Sequence, residues 1–378
     1  MNRYKNYYSI LAISKHDLRE PIHGSARLLL SILGALSYYH NVIYIGATGS
    51  YDNIKLPVEF RDNITSFRQI TLSRHYKNPF LIHEIISSII RRINFVPDII
   101  FCATREHIFT CKLLAEEYDA ILIMLQDALK YLYINNPLRS LAIPWYTFVT
   151  LMSDVSICVT RDIEDKLRKI GLDLKKNIYT IRPTFMLLTD INESINVDGL
   201  LNKLEKFNMI VHYSGPLELL PLLAIKFPSI LFTITGPSAY YAKQYLGDKE
   251  WKNIMLLHNI PDSMLKILYN KVLASIIIRP VMTGISVTAL QSLYFGVPII
   301  ANKTAILGLE DLTDKYNEKN VIKIFNQWSE LVKILKGLEN KDNYDPGLRE
   351  TIIRIFNENF SPKIFNAKFN VILNNVIL

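Results

Sequence analysis

The chain has 378 residues, 49% of them hydrophobic and 21% charged, which excludes disorder and makes two domains with sizeable cores the expectation. Lys and Arg number 43 against 35 Asp and Glu, a formal charge of +8 with no basic block of the kind that binds nucleic acid; it suits anionic small molecules or an anionic membrane surface. Cys102, Cys111 and Cys158 supply neither a disulfide framework nor a metal-ligand spacing, and read as buried small hydrophobes in a reducing compartment.

The N-terminal Met1-Asn2-Arg3-Tyr4 leads into a strand predicted over 7–14 and lacks the cleavage site of a secretory signal. No apolar run reaches the length of a transmembrane helix. The expectation is a cytoplasmic protein, with peripheral contact to a membrane left open. Continuous runs rich in Ile and Val recur at 41–47, 98–103, 120–125, 154–160 and 177–183. Because they do not alternate with polar residues, they fit strands covered on both faces. Helical spacing lies between them at 25–39, 80–93, 107–118 and 162–171. Strand and helix in this order predict a parallel, doubly wound sheet. Within 131–149, Tyr131, Tyr133, Trp145, Tyr146 and Phe148 stand beside Lys130 and Arg139. A buried helix with an aromatic face is the favoured reading of that stretch, and docking at a membrane interface the other.

The alternation lapses over 187–206, where Thr189-Asp190-Ile191-Asn192-Glu193-Ser194 reads as linker and lead-in to a helix. A second series of apolar runs follows at 209–215, 230–236, 253–259, 272–280, 297–302 and 320–325. The expected organisation is a Rossmann-like domain over 1–186, a linker over 187–206 and a second Rossmann-like domain over 207–360. A C-terminal helix over 361–378, set off by Ser361-Pro362, is expected to cross back onto the first domain. Two such domains leave a central cleft where the carboxyl ends of both sheets face each other, and ligands bind there.

The strongest local signal runs from Arg279 to Asn302. A strand predicted to end at Arg279 is followed by a loop with Gly284 and a helix opening at Ser286, with Gly296 past its end. Backbone N–H groups at a helix N-terminus suit a diphosphate, with Ser286 and Thr288 as added hydroxyl donors. Gln291, in the second helical turn, is placed to bond sugar or ribose hydroxyls. The alternative is an ordinary strand–loop–helix unit capped by Ser286.

Gly284, Ala289-Leu290-Gln291, Gly296-Val297-Pro298 and Ile299-Ile300-Ala301 resemble the donor-binding signature of GT-B glycosyltransferases, in particular the large retaining family GT4. The resemblance extends over nearly the whole chain. Pro21-Ile22-His23-Gly24-Ser25-Ala26-Arg27 is similar to the family's Gly-rich turn after the first strand. Asp154–Thr160 is similar to its last N-domain strand, Ile230–Gly236 to its strand ending in Gly, and His258-Asn259-Ile260-Pro261 to the turn before its nucleotide-side helix. The resemblance implies a GT-B fold and transfer of a sugar, with retention, from a UDP- or GDP-sugar to a glycan or lipid-linked acceptor. It implies no cofactor, no catalytic metal and no nucleic-acid partner. For the donor it implies Gly215, Gly236, Arg279, Thr283, Gly284, Ile285, Ser286, Val287, Thr288 and Gln291. For the acceptor side it implies His23, Gly24, Ser25 and Arg161, with Asp127 as base or orienter of the acceptor hydroxyl. A helix N-cap is the competing reading of Asp127.

Two departures stand out. Thr283 and Gln291 occupy positions where members commonly carry Glu. Ser214-Gly215-Pro216-Leu217-Glu218 has no cation to neutralise a diphosphate, which leaves Arg279 or Arg161 to supply it. Two other readings remain: a non-hydrolysing nucleotide-sugar epimerase, and a degenerate GT-B domain that binds a nucleotide sugar or glycan without turnover. A nicotinamide dehydrogenase is disfavoured, because 16–24 lacks the compact Gly-x-Gly-x-x-Gly turn.

Overall fold

In the computed structural model every apolar run predicted above forms a strand: β1 (Ser9–Ser14), β2 (Asn41–Ala47), and, past β3 (Arg68–Leu72), β4 (Ile99–Cys102), β5 (Ile121–Gln126), β6 (Val155–Cys158) and β7 (Ile178–Thr180). The second series gives β8 (Met209–Ser214), β9 (Ile230–Thr235), β10 (Ile254–Leu257), β11 (Ala274–Ile277), β12 (Ile299–Asn302) and β13 (Ile322–Phe325). The described residues are 7–16, 18, 24–47, 68–72, 78–129, 139–172, 177–187, 197–247, 250–258, 260–280, 284–316, 320–339 and 347–377. β3 has no counterpart among the predicted runs. From Gln69 to Leu72 the strand alternates polar with apolar residues, and β3 lies at the sheet edge, where full coverage by helices is not required.

The chain divides into two compact units, residues 1–186 with 360–378, and residues 187–359. The first holds a seven-stranded sheet in the order β3-β2-β1-β4-β5-β6-β7, and the second a six-stranded sheet in the order β10-β9-β8-β11-β12-β13. The pairing is parallel throughout both. Each order reverses once, between β1 and β4 and between β8 and β11, and such a reversal opens a ligand crevice at the carboxyl ends of the strands. The central strands are buried end to end, as with Ile10, Leu11, Ile100 and Leu122 in the first unit and Ile230, Phe232 and Ile276 in the second. Burial of that much aliphatic surface is the main stabilising term in both sheets.

Local chemistry sets the helix ends. Asn78 caps Pro79–Arg92, its side chain accepting from Phe80 N–H at 3.0 Å, while Arg91 and Arg92 in the last turn suit the negative end of the dipole. In the second unit Asn253 Nδ2 lies 2.9, 3.1 and 3.2 Å from the carbonyl oxygens of Ala224, Phe227 and Ile230, tying the carboxyl end of helix Leu219–Lys226 to the amino ends of β9 and β10. Cys102, Cys111 and Cys158 are all free and buried. Among the described residues no helix is long and apolar enough to cross a membrane.

The last helix, Pro362–Ile377, belongs to the first unit and packs against the first, Gly24–Ser37. It is fastened by His40, which is fully buried. Tyr8 N–H donates to His40 Nδ1 at 3.4 Å, and His40 Nε2 lies 3.0 Å from Asn366 Oδ1, so the neutral ring with its proton on Nε2 satisfies both contacts. The rings of Tyr8 and Phe369 flank it. Burial takes the His40 pKa from 6.5 down to about 4. Between those values the unfolded chain binds a proton that the folded chain does not, so stability is present above pH 6.5 and is lost as pH falls toward 4. The expected loss is about 3 kcal/mol. His212 in the second unit is lowered to about 4 as well, so the contribution of His40 is read from the difference between wild type and His40→Gln in urea titrations across pH 4 to 7. Parallel pH profiles for the two proteins would remove His40 from the clasp.

Candidate functional site

The donor signature folds at the carboxyl ends of β8, β9, β11 and β12, beside the β8/β11 reversal. β11 stops at Ile277, not at Arg279 as its sequence suggests. Ile278 N–H still reaches Ser214 O at 2.8 Å, but Arg279 has left the ladder. Its backbone is instead held by a side chain of the next strand. Asn302 Oδ1 accepts from Arg279 N–H at 3.0 Å, and Asn302 Nδ2 donates to Arg279 O at 2.8 Å. The guanidinium reaches forward, Arg279 Nη1 donating to Gly284 O at 3.0 Å.

Gly284 is buried with φ of +94°, a conformation in which a side chain is strained, so a glycine suits this turn. Ser286 then caps helix Val287–Tyr294, its hydroxyl accepting from Ala289 N–H at 3.3 Å, as the N-cap reading of that residue has it. Ile285 is buried, while Val287 and Thr288 are partly exposed. The Thr288 carbonyl accepts from Ser292 Oγ at 2.7 Å. Gln291 sits one turn into the helix with its Nε2 buried and without a hydrogen-bond partner. Thr283 lies outside the described residues.

Electrostatics single out Arg279. Burial lowers its pKa from the ordinary value, and no carboxylate among the described residues offsets that cost. A partly buried cation with no carboxylate beside it among the described residues is a costly arrangement for a protein to keep. It stands within one short loop of a helix N-terminus, where the backbone itself favours negative charge. The two features converge on an anion.

The other residues that the resemblance implies for the donor, Gly215 and Gly236, lie at the same edge. Gly215 follows β8, and a Cβ there would meet the Tyr213 hydroxyl at 2.8 Å and Ile278 Cβ at 3.1 Å, so packing accounts for this glycine. Gly236 is the N-cap of helix Pro237–Leu246. β8 and β9 themselves carry a polar pair that sequence reasoning missed: His212, buried, with Nε2 3.1 Å from Thr235 Oγ1 and Nδ1 without a partner. Burial lowers the His212 pKa to about 4, so it is neutral at physiological pH. The sequence signal was a histidine inside an otherwise apolar strand. Asn302 was missed too, although a polar residue closing Ile299-Ile300-Ala301 at a carboxyl end was there to see.

In the first unit Asp127 follows β5 in a non-helical loop, so the N-cap reading does not hold for it. Its carboxylate is 3.9 Å from the Arg105 guanidinium and about a third exposed. Arg105 is the organiser of this loop. Its Nε donates to Gln126 Oε1 at 3.2 Å, its Nη2 to Ala128 O, and it stacks 4.7 Å over the Tyr146 ring. Gly24 and Ser25 open helix Gly24–Ser37, and Arg161 opens Arg161–Leu167, where it is exposed. His23 lies outside the described residues. Among the described residues no group of His, Cys, Asp or Glu comes together as a metal site.

The aromatic stretch divides. Tyr146 is buried, as a core helix face requires, while Trp145 and Phe148 are each 40% exposed. Phe148 lies 5.4 Å from Phe109 and 6.0 Å from Trp145 between ring centres, and Leu151 is exposed on the same helix. Lys130, Tyr131 and Tyr133, and the Arg139 side chain, lie outside what is described.

No protein-family model matches the sequence, and no curated protein matches it. Solved structures do. HepE from Anabaena, in complex with UDP and glucose, aligns with a TM-score of 0.69 at 12% identity over 97% of this chain and 99% of its own. Sucrose-phosphate synthase from Thermosynechococcus elongatus gives 0.69 at 12% identity over 98% and 99%. A glycosyltransferase from Rickettsia africae gives 0.64 at 18% identity over 99% of both chains. At these identities the likeness establishes the fold: two parallel α/β units of the GT-B type, as the signature implied.

Proposed function

We propose that the chain transfers a sugar from a nucleoside diphosphate sugar to an acceptor hydroxyl. The observation that carries this reading is Arg279, a partly buried cation with no carboxylate partner among the described residues, beside Gly284 and the N-terminus of Val287–Tyr294. A diphosphate supplies the missing charge. As the bond from the sugar to the diphosphate breaks, negative charge grows on the leaving oxygen, and a guanidinium and N–H dipoles already in place stabilise it without reorganising. Gln291 offers a buried, unpartnered amide N–H for a ribose or sugar hydroxyl. Asp127 is assigned to the acceptor hydroxyl, as the group that takes or orients its proton. The GT-B fold and the UDP-bound neighbour support the donor class. Retention of configuration, independence of a metal ion and a GT4-like subtype complete the proposal. The exposed patch of Phe109, Trp145 and Phe148 supports a lipid-linked acceptor met at a membrane surface. Gln291 in place of the family's Glu favours a second reading, a binder without turnover.

Thermal melts with UDP, GDP and ADP test the donor site. Saturation at a hundredfold excess over Kd stabilises the folded state by about 2.7 kcal/mol, and one base is expected to stand out. Release of nucleotide from the matching sugar donor, with and without a chelator, separates enzyme from binder. The anomeric configuration of the product, read by NMR, decides retention. A protein whose melting point no nucleotide moves would end the proposal.

A further inference from the structure

We infer that Asn302, together with Thr304, is a positioning residue for the donor loop, acting through Arg279 and touching no ligand itself; this rests on the donor reading above. The inference begins with a gap in the sheet. β11 ends at Ile277 and β12 runs on to Asn302, so Arg279 has no strand partner for its N–H or its carbonyl. One side chain replaces that partner. The Asn302 amide matches both backbone groups of Arg279 at once, accepting from the N–H at 3.0 Å and donating to the carbonyl at 2.8 Å. Its second amide hydrogen goes to Thr304 Oγ1 at 2.7 Å, and the Thr304 hydroxyl donates in turn to the same Arg279 carbonyl. With the amide turned over, donor would face donor and acceptor face acceptor, so the network admits a single orientation of the amide.

Arg279 passes this order forward. Its backbone is clamped at one end of the loop, and its guanidinium holds Gly284 O at 3.0 Å at the other. Arg279 and Gly284, on either side of residues 281–283, are thereby tied to each other through one side chain, and Gly284 leads through Ile285 to the Ser286 cap. An Arg side chain carries several rotatable bonds, and its value to an anion depends on those bonds being set before the ligand arrives. Fixing the Arg279 peptide fixes where the side chain starts. Asn302 is the only amide side chain shown holding both backbone groups of one residue at this edge among the described residues.

The test compares Asn302→Asp and Asn302→Ala with Asn253→Ala. Asn253 is a buried amide clamp of similar extent at the amino ends of strands, remote in the sheet from the donor loop. Asp keeps the size of Asn but sets an acceptor against the Arg279 carbonyl. Calorimetry with UDP and GDP gives Kd, thermal melts give stability, and donor titrations separate KM from kcat. Both Asn302 variants are expected to bind the preferred nucleotide roughly tenfold or more weakly, with Asp no better than Ala, and to raise donor KM. Asn253→Ala is expected to lower the melting temperature and leave Kd within about twofold. Asn302→Gln, which keeps the amide but displaces it, is expected to fall between Ala and wild type. Folded Asn302 variants that bind within about twofold of wild type would overturn the inference, as would an equal loss of affinity in Asn253→Ala. A wild type that binds neither nucleotide overturns the donor reading and this inference with it.

Discussion

Arg279→Ala is expected to weaken nucleoside diphosphate binding by about 3 kcal/mol, roughly a hundredfold in Kd. The size follows from partial burial: a charge-assisted hydrogen bond partly shielded from water loses more than a fully exposed contact does. The same substitution should cost the unliganded protein little. It removes a partly buried cation that no carboxylate among the described residues offsets, and gives up one neutral acceptor at Gly284 O. Binding and stability are therefore expected to separate, with affinity falling while the melting temperature without ligand stays within a few degrees of wild type. Arg279→Lys keeps the charge but loses the fork, and is expected to recover part of the affinity. Calorimetry with UDP and GDP, beside melts without ligand, makes the comparison. Unchanged affinity in a folded Ala variant would take the diphosphate away from this loop. A large loss of stability with intact affinity would make Arg279 a purely structural strut.

Asp127→Asn carries the second large effect, on transfer and not on donor affinity. Asn matches Asp in size, and the contacts of Arg105 to Gln126, Ala128 and Tyr146 do not depend on the Asp127 charge, so the loop is expected to keep its shape. If the carboxylate takes the acceptor proton, transfer should fall by roughly a hundredfold or more. If it only orients the hydroxyl, the loss should be smaller, because the leaving phosphate itself is able to take the proton. Nucleotide Kd, sugar transfer and slow donor hydrolysis, measured on both proteins, tell these cases apart. Transfer at the wild-type rate removes Asp127 from the site.

Much of the fold was legible in the sequence, and for a local reason. Strands covered on both faces must be apolar without a break, so Ile10-Leu11-Ala12-Ile13 and Ile230-Leu231-Phe232 declare themselves. Caps act within one turn, so Ser286 at the start of a helix and Gly296 after its end could be placed from neighbouring residues alone. An edge strand carries a weaker demand, which is why β3 was passed over.

The candidate site divides along the same line. Gly284 and the helix behind it form one contiguous segment, and the chemistry of a helix N-terminus belongs to any such segment. What Arg279 does, in contrast, depends on strand order. Only when β12 lies beside β11 does Asn302, 23 residues away, meet its backbone, and only then is it evident that no carboxylate among the described residues has come near the guanidinium. The His40–Asn366 contact spans 326 residues and exists because the last helix packs on the first unit. Periodicity and capping are properties of a few consecutive residues, so the sequence by itself determined two parallel α/β units and the Ser286 cap of helix Val287–Tyr294. Whether a partly buried charge is paired is a property of the neighbours that folding brings, and the tertiary structure alone showed Arg279 without a carboxylate partner among the described residues.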